Sequence, residues 1–88
     1  QVCAVVTDCD ADGNATLSLR NKFAAGDEIE IVGPDSRPFT MTAPVMEDSE
    51  GFALYEPRTP QMVFKMKLPQ RVPPMSFVRH AVQLSAKD

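Results

Sequence analysis

The chain has no tryptophan, a single tyrosine and a single histidine, so the side chains that most often stack on ligands or move protons near neutral pH are scarce. Any Ser-His-Asp or Cys-His arrangement would have to be built on His80, with Ser76, Ser85 or a distant cysteine as nucleophile, and nothing in the spacing supports one. His80 therefore reads as a surface or packing residue. Cys3 and Cys9 are too few for the disulfide framework of a small secreted scaffold and lack the paired spacing of a zinc site, which leaves them as buried or idle thiols. The four glycines are dispersed at turns, so no glycine-rich phosphate loop is present. Hydrophobic residues make up 43% of the chain but fall in short runs, none long enough to cross a bilayer, and no membrane partner is expected.

What is present bounds the fold. A chain of 88 residues holds one compact domain, expected over residues 1–88. Folding at this size buries only roughly 60–65% of the surface that the unfolded chain exposes. The first residue is Gln1, so the chain is either an excised piece of a longer protein or a processed form; no stretch has the organisation of a targeting segment, and excision is the expectation, with a cytoplasmic location. The net charge of −3 argues against a strong grip on nucleic acid by the whole surface and leaves room only for a local basic patch.

Proline at 34, 38, 44, 57, 60, 69, 73 and 74 leaves no window for a long amphipathic helix. Between these breaks the apolar residues alternate, the period of strands with one buried face. Val2–Thr7 and Ala15–Leu19 flank a turn-rich segment and form a hairpin, with Ala15, Leu17 and Leu19 inward and Thr16, Ser18 and Arg20 outward. The segment Gly26–Pro34 holds the clearest strand, bracketed by turns, with Ile29 and Ile31 inward and Glu28 and Glu30 on the solvated face. Phe39–Met46 and Phe52–Tyr55 are shorter candidates. Met62, Phe64, Met66 and Leu68 share one face of the next strand and Lys65 and Lys67 the other, and Phe77–Val82 is the last strand. Six or so short strands imply an all-β barrel or sandwich whose closure removes exposed edges.

The run Asp8-Cys9-Asp10-Ala11-Asp12-Gly13 imitates the start of a calcium-binding EF-hand loop, but Leu19 stands where the closing bidentate glutamate is required and no helices flank it. It reads as a hairpin turn. The chemistry that remains is basic: Lys65 and Lys67 on one strand face, which Arg20, Lys22, Arg58, Arg71 and Arg79 could join if the fold gathers them into an RNA-facing patch. Tyr55 is the aromatic available to it, since most of the phenylalanines are expected in the core.

Asn21-Lys22-Phe23 followed by Gly26-Asp27-Glu28-Ile29-Glu30-Ile31-Val32-Gly33-Pro34 resembles the hallmark stretch of the C-terminal domain of U32 family proteins, known as collagenase-like peptidases. Ala15-Thr16-Leu17, Pro60-Gln61-Met62-Val63 and Val72-Pro73-Pro74 ahead of Arg79 extend the resemblance over nearly the whole chain. Where the family pattern carries Tyr-Asp after the proline, this chain has Met75-Ser76. The Gly26–Gly33 core is also similar to the second domain of translational GTPases, so the resemblance implies a small closed six-stranded barrel.

The resemblance places the family's catalysis in a separate domain of the same polypeptide. In bacterial members that hydroxylate tRNA or rRNA it implies an iron–sulfur cluster held by cysteines of that other domain, and none of those ligands maps onto Cys3 or Cys9. No catalytic residue and no cofactor are expected here. The expected role is an accessory module that binds or orients a macromolecular substrate such as tRNA or rRNA. A structural module packing on the catalytic domain through an apolar patch of Met41, Met46, Met62 and Met75, or a peptide-binding module of a protease, are the alternatives.

Overall fold

A computed structural model describes residues 2–34 and 37–81. Eight strands run in chain order: β1 (Val2–Cys9), β2 (Asn14–Leu19), β3 (Glu28–Val32), β4 (Phe39–Thr42), β5 (Met46–Glu47), β6 (Ala53–Leu54), β7 (Val63–Lys67) and β8 (Phe77–His80). They form one antiparallel sheet in the order β4-β3-β8-β1-β2-β7-β5-β6. The last strand, β8, lies between β1 and β3.

The sheet curls so that its inner face closes on itself. Leu17 and Leu19 of β2, Ile29 and Ile31 of β3, Phe64 and Met66 of β7 and Val78 of β8 are all buried in one cluster. At about 25 cal/mol per Å² removed from water, these fully buried side chains contribute roughly 1.5–3 kcal/mol each. Phe23, from the β2–β3 connection, caps the cluster against Phe64 with ring centroids 6.0 Å apart and a 55° tilt.

The all-β barrel architecture is as expected, with eight strands in place of six and a curled half-barrel in place of a fully hydrogen-bonded ring. Pro44 has no N–H to give a ladder, so Phe39–Met46 divides into β4, which pairs with β3, and β5, which pairs with β6 and β7. No ladder among the described residues joins β4 to β6. The two edges are linked instead through the chain leading into β3: Ala25 N–H donates to Tyr55 O at 2.7 Å, and Gly26 N–H to Ala43 O at 2.8 Å. Within Gly26–Pro34 the strand is Glu28–Val32, bracketed by turns as expected; β8 stops at His80, with Val82 outside the described residues.

The β1–β2 turn closes on itself, as a hairpin turn does. Asp10 Oδ1 accepts the N–H of Asp12 at 2.9 Å and of Asn14 at 3.0 Å, and Oδ2 accepts the Asn14 side-chain amide at 3.0 Å. These bonds, the side-chain one from Asn14 first, hold the Asp10 carboxyl below its ordinary value. Gly13 sits at φ +91°, and a Cβ there would fall well inside van der Waals contact of the Leu68 carbonyl. That approach lets Leu68 N–H donate to Gly13 O at 2.8 Å, locking the hairpin tip to the end of β7. Gly26 is also left-handed, at φ +96°, but open space surrounds it. Gly13→Ala is therefore expected to cost about 2–4 kcal/mol and Gly26→Ala about 1 kcal/mol. Urea unfolding of the two variants checks this; equal losses would mean that the Leu68 backbone yields to the added methyl.

Candidate nucleic-acid interface

The alternation of β7 puts Phe64 and Met66 inside and leaves Val63, Lys65 and Lys67 on the outer face. The ladder then fixes their neighbours. Thr16 lies opposite Lys65 and Asn14 opposite Lys67 on β2, and Glu47 of β5 lies opposite Lys65 on the other side. The two lysine side chains leave the strand from Cα atoms roughly 6.6 Å apart, the i to i+2 spacing. Between them and the hairpin turn runs an open groove of about 390 Å³, whose lining includes Lys65, Lys67, Asn14, Asp10, Glu47 and Val45.

This groove is of mixed sign. Glu47 stands across the ladder from Lys65. Lys67 is near enough to Asp10 to help hold its carboxyl down. Two aromatic side chains are exposed on the same end of the sheet: Tyr55, 63% exposed, follows β6, and Phe52, 66% exposed, precedes it. Phe52 was not legible as a surface aromatic, because it sits beyond the Asp48 turn, where strand alternation no longer predicts direction. Asp48 Oδ1 accepts the N–H groups of Glu50 and Phe52, and Gly51 takes φ +87°.

The other basic residues do not join the β7 face through the ladder. Arg79 is on β8, separated from β7 by β1 and β2, and its Nε donates to Glu30 Oε1 at 2.7 Å. Glu30 is thus half-buried and paired across the β3–β8 ladder, not freely solvated. Arg58 pairs with Glu56 at 3.0 Å, and Arg20 donates to Ser18 Oγ at 2.9 Å. Lys22 is exposed in the connection after β2, and Arg71 is exposed beside Val72, Pro73 and Pro74. The anticipated methionine patch does not form: Met46 is buried, Met41 and Met62 pack against the core, and Met75 alone of the four is exposed. Inward-facing register on β4 and β5 is the reason for the first two.

One constellation escaped the sequence. His80 Nε2 lies 3.2 Å from Asp27 Oδ2, and Cys3 Sγ lies 3.6 Å from His80 Nδ1. A carboxylate can only accept, so Nε2 carries a proton, and in the neutral ring Nδ1 accepts the thiol hydrogen. The order thiol, imidazole, carboxylate is that of an activated nucleophile. The setting is not: Cys3 is 2% exposed, and burial pushes its thiol up. The relay instead ties the start of β1 to the end of β8 and the start of β3, residues 77 and 53 apart in sequence, which no spacing motif encodes. Cys9, at the far end of β1, is buried and free as well. Six residues of strand put the two cysteines roughly 20 Å apart, so they do not fit as joint ligands of an iron–sulfur cluster. No helix among the described residues is long and apolar enough to cross a membrane.

A curled antiparallel half-barrel with this strand order is the fold of a known class of small β domain. The sequence profile of the Peptidase family U32 C-terminal domain matches residues 1–79, and the chain belongs to that family. It is 38% identical over 64 residues to the tRNA hydroxylation protein P1 of Bacillus subtilis (strain 168), a match that takes in 73% of this chain and 15% of that protein. The chain thus spans about one-seventh of that relative's length. Its fold is similar to the crystal structure of the C-terminal domain of a protein assigned as a U32 peptidase from Geobacillus thermoleovorans, with a TM-score of 0.88, 30% identity and 93% of each chain covered. The selenomethionine form of that domain matches with a TM-score of 0.83 and 31% identity over 90% of this chain and 98% of that one.

The Asp27 contacts carry a pH signature. Its carboxyl is held below the ordinary 3.8, first by the Ala24 backbone N–H, at 2.9 Å, and then by His80. A depressed native value means stabilisation that is complete above the unfolded pKa and lost as pH falls through the native one. Asp27→Asn is expected to lower stability at pH 6 by no more than about 1 kcal/mol given its exposure, seen as a lower Tm, with the deficit shrinking as pH is lowered below the carboxylate range. Melting curves of both forms from pH 7 to pH 2 check this; a constant deficit would show that the charge is irrelevant.

Proposed function

We propose that this domain is a non-catalytic accessory module of a longer U32 family polypeptide, holding or orienting a tRNA or rRNA substrate for a catalytic domain elsewhere in that polypeptide. The observation that carries the reading is the outward pair Lys65 and Lys67 on β7, with exposed Tyr55 and Phe52 flanking β6 on the far side of β5, in a chain whose relative is named for tRNA hydroxylation. Ammonium groups neutralise phosphate, and aromatic faces stack on unpaired bases without demanding a sequence. Arg20 and Lys22 are assigned as outlying contacts to the same strand of RNA, whereas Arg58 and Arg79 are held by Glu56 and Glu30 and Arg71 lies on the Pro73-Pro74 face. Glu47 and Asp10 beside the lysines, and the net charge of −3, keep the grip weak, which suits a module that positions a substrate. No cofactor is assigned to it, and an RNA substrate puts it in the cytoplasm.

A second reading, a structural module that packs on the catalytic domain, is favoured by one observation, the 72% exposure of Met75. The RNA reading predicts that the isolated domain binds bulk tRNA at low salt, and that the Lys65→Glu/Lys67→Glu double variant binds at least about tenfold more weakly with its salt slope reduced by about 2. Fluorescence anisotropy at two or more salt concentrations measures both. Absence of binding at low salt removes the RNA-holding role.

A further inference from the structure

We infer that the turn Pro73-Pro74-Met75-Ser76 is a rigid docking knob that seats in an apolar, carboxylate-rimmed pocket on the remainder of the U32 polypeptide. The inference rests on the reading of this chain as an accessory module of a longer protein. Ser76 N–H donates to Pro73 O at 3.2 Å, closing a four-residue turn with Pro74 and Met75 at its centre. Proline presets the first central position, and the second demands positive φ, where glycine or asparagine is preferred. Met75 takes that position at φ +75°.

The turn is held against this preference. Met75 N–H donates to Val6 O at 2.9 Å, Val6 N–H donates to Ser76 O at 2.7 Å, and the fully buried Ser76 donates its hydroxyl to Pro73 O at 2.7 Å. A left-handed backbone strained by a Cβ, with its side chain 72% exposed, combines two local costs that glycine would remove. The chain offers its own control. The Thr59-Pro60-Gln61-Met62 turn has the same design, with Met62 N–H donating to Thr59 O at 3.1 Å and Gln61 at φ +67°. There the exposed side chain is polar, so its exposure to water needs no partner.

The surroundings of Met75 define the partner's chemistry. Arg71, Val72, Pro73 and Pro74 line a shallow groove of about 300 Å³ leading to the turn. No carboxylate pairs with Arg71 among the described residues. Methionine and arginine are enriched at protein interfaces and lysine is depleted, which separates this surface from the lysine-bearing β7 face. An unpaired guanidinium calls for a carboxylate on the other side.

The test titrates the domain against the B. subtilis tRNA hydroxylation protein P1 lacking the segment that matches this chain, by calorimetry, with Met75→Gly, Met75→Leu, Arg71→Glu and Gln61→Gly as variants. A similar domain has been solved in isolation, so the fold stands on its own. Expected are binding by the wild type, at least about tenfold weaker binding by Met75→Gly and Arg71→Glu, near-normal binding by Met75→Leu and Gln61→Gly, and a Tm for Met75→Gly no lower than that of the wild type. No wild-type binding, or equal binding by Met75→Gly, overturns the inference, as does a Met75→Gly defect that appears against tRNA instead. The tRNA titration of the Lys65→Glu/Lys67→Glu variant is independent, so the RNA-holding reading can fail while this one stands, and the reverse.

Discussion

The structure depends on the insertion of β8 between β1 and β3. Val78 sits opposite Ala4 on one side and Ile31 on the other, so a strand near residue 80 joins two strands that the first third of the chain could not pair alone. Without β8 the β1–β2–β7 and β3–β4 portions share no ladder, and neither has a second layer against which to bury its apolar face. The join is costly in chain entropy, since it closes loops of tens of residues. The buried row of Val6, Leu17, Ile29, Ile31, Phe64 and Val78 offsets that cost. The contacts at its rim, Arg79 to Glu30 and His80 to Asp27, belong to the same seam.

Electrostatics on this domain is local and mostly balanced. Arg79, Arg58, Lys65 and Lys67 each have a carboxylate as ion-pair partner, cross-strand partner or close neighbour, so the outer surface has no broad positive field. Under the proposed role, such a module would hold a polyanion by a few contacts in register, each weakened by salt. The Cys3–His80–Asp27 relay shows the complementary lesson: three residue types associated with catalysis serve here to fasten strand ends, because the thiol is shut away from any substrate.

Alternation along β2, β3 and β7 was legible because each has one face against the core, which stamps a period of two on Leu17 and Leu19, Ile29 and Ile31, Phe64 and Met66. The glycine and aspartate chemistry of the β1–β2 turn was legible for the same local reason. The division of Phe39–Met46 at Pro44 was written in the chain, yet which strands its halves join was not. The exposure of Phe52 and the burial of Met46 followed from where the curled sheet placed them.

By itself the sequence determined the family, through motifs spread over nearly the whole chain, and the all-β class, the inward and outward sides of its longer strands and the pair Lys65 and Lys67, because these last depend on neighbours two to five residues away. Only the tertiary structure decided the strand order, the open edges at β4 and β6, the partner that neutralises Arg79, the Cys3–His80–Asp27 line and the strained projection of Met75. Each of these is set by which strands meet across the sheet, and that pairing is a property of the whole closed core that no short stretch of residues can encode.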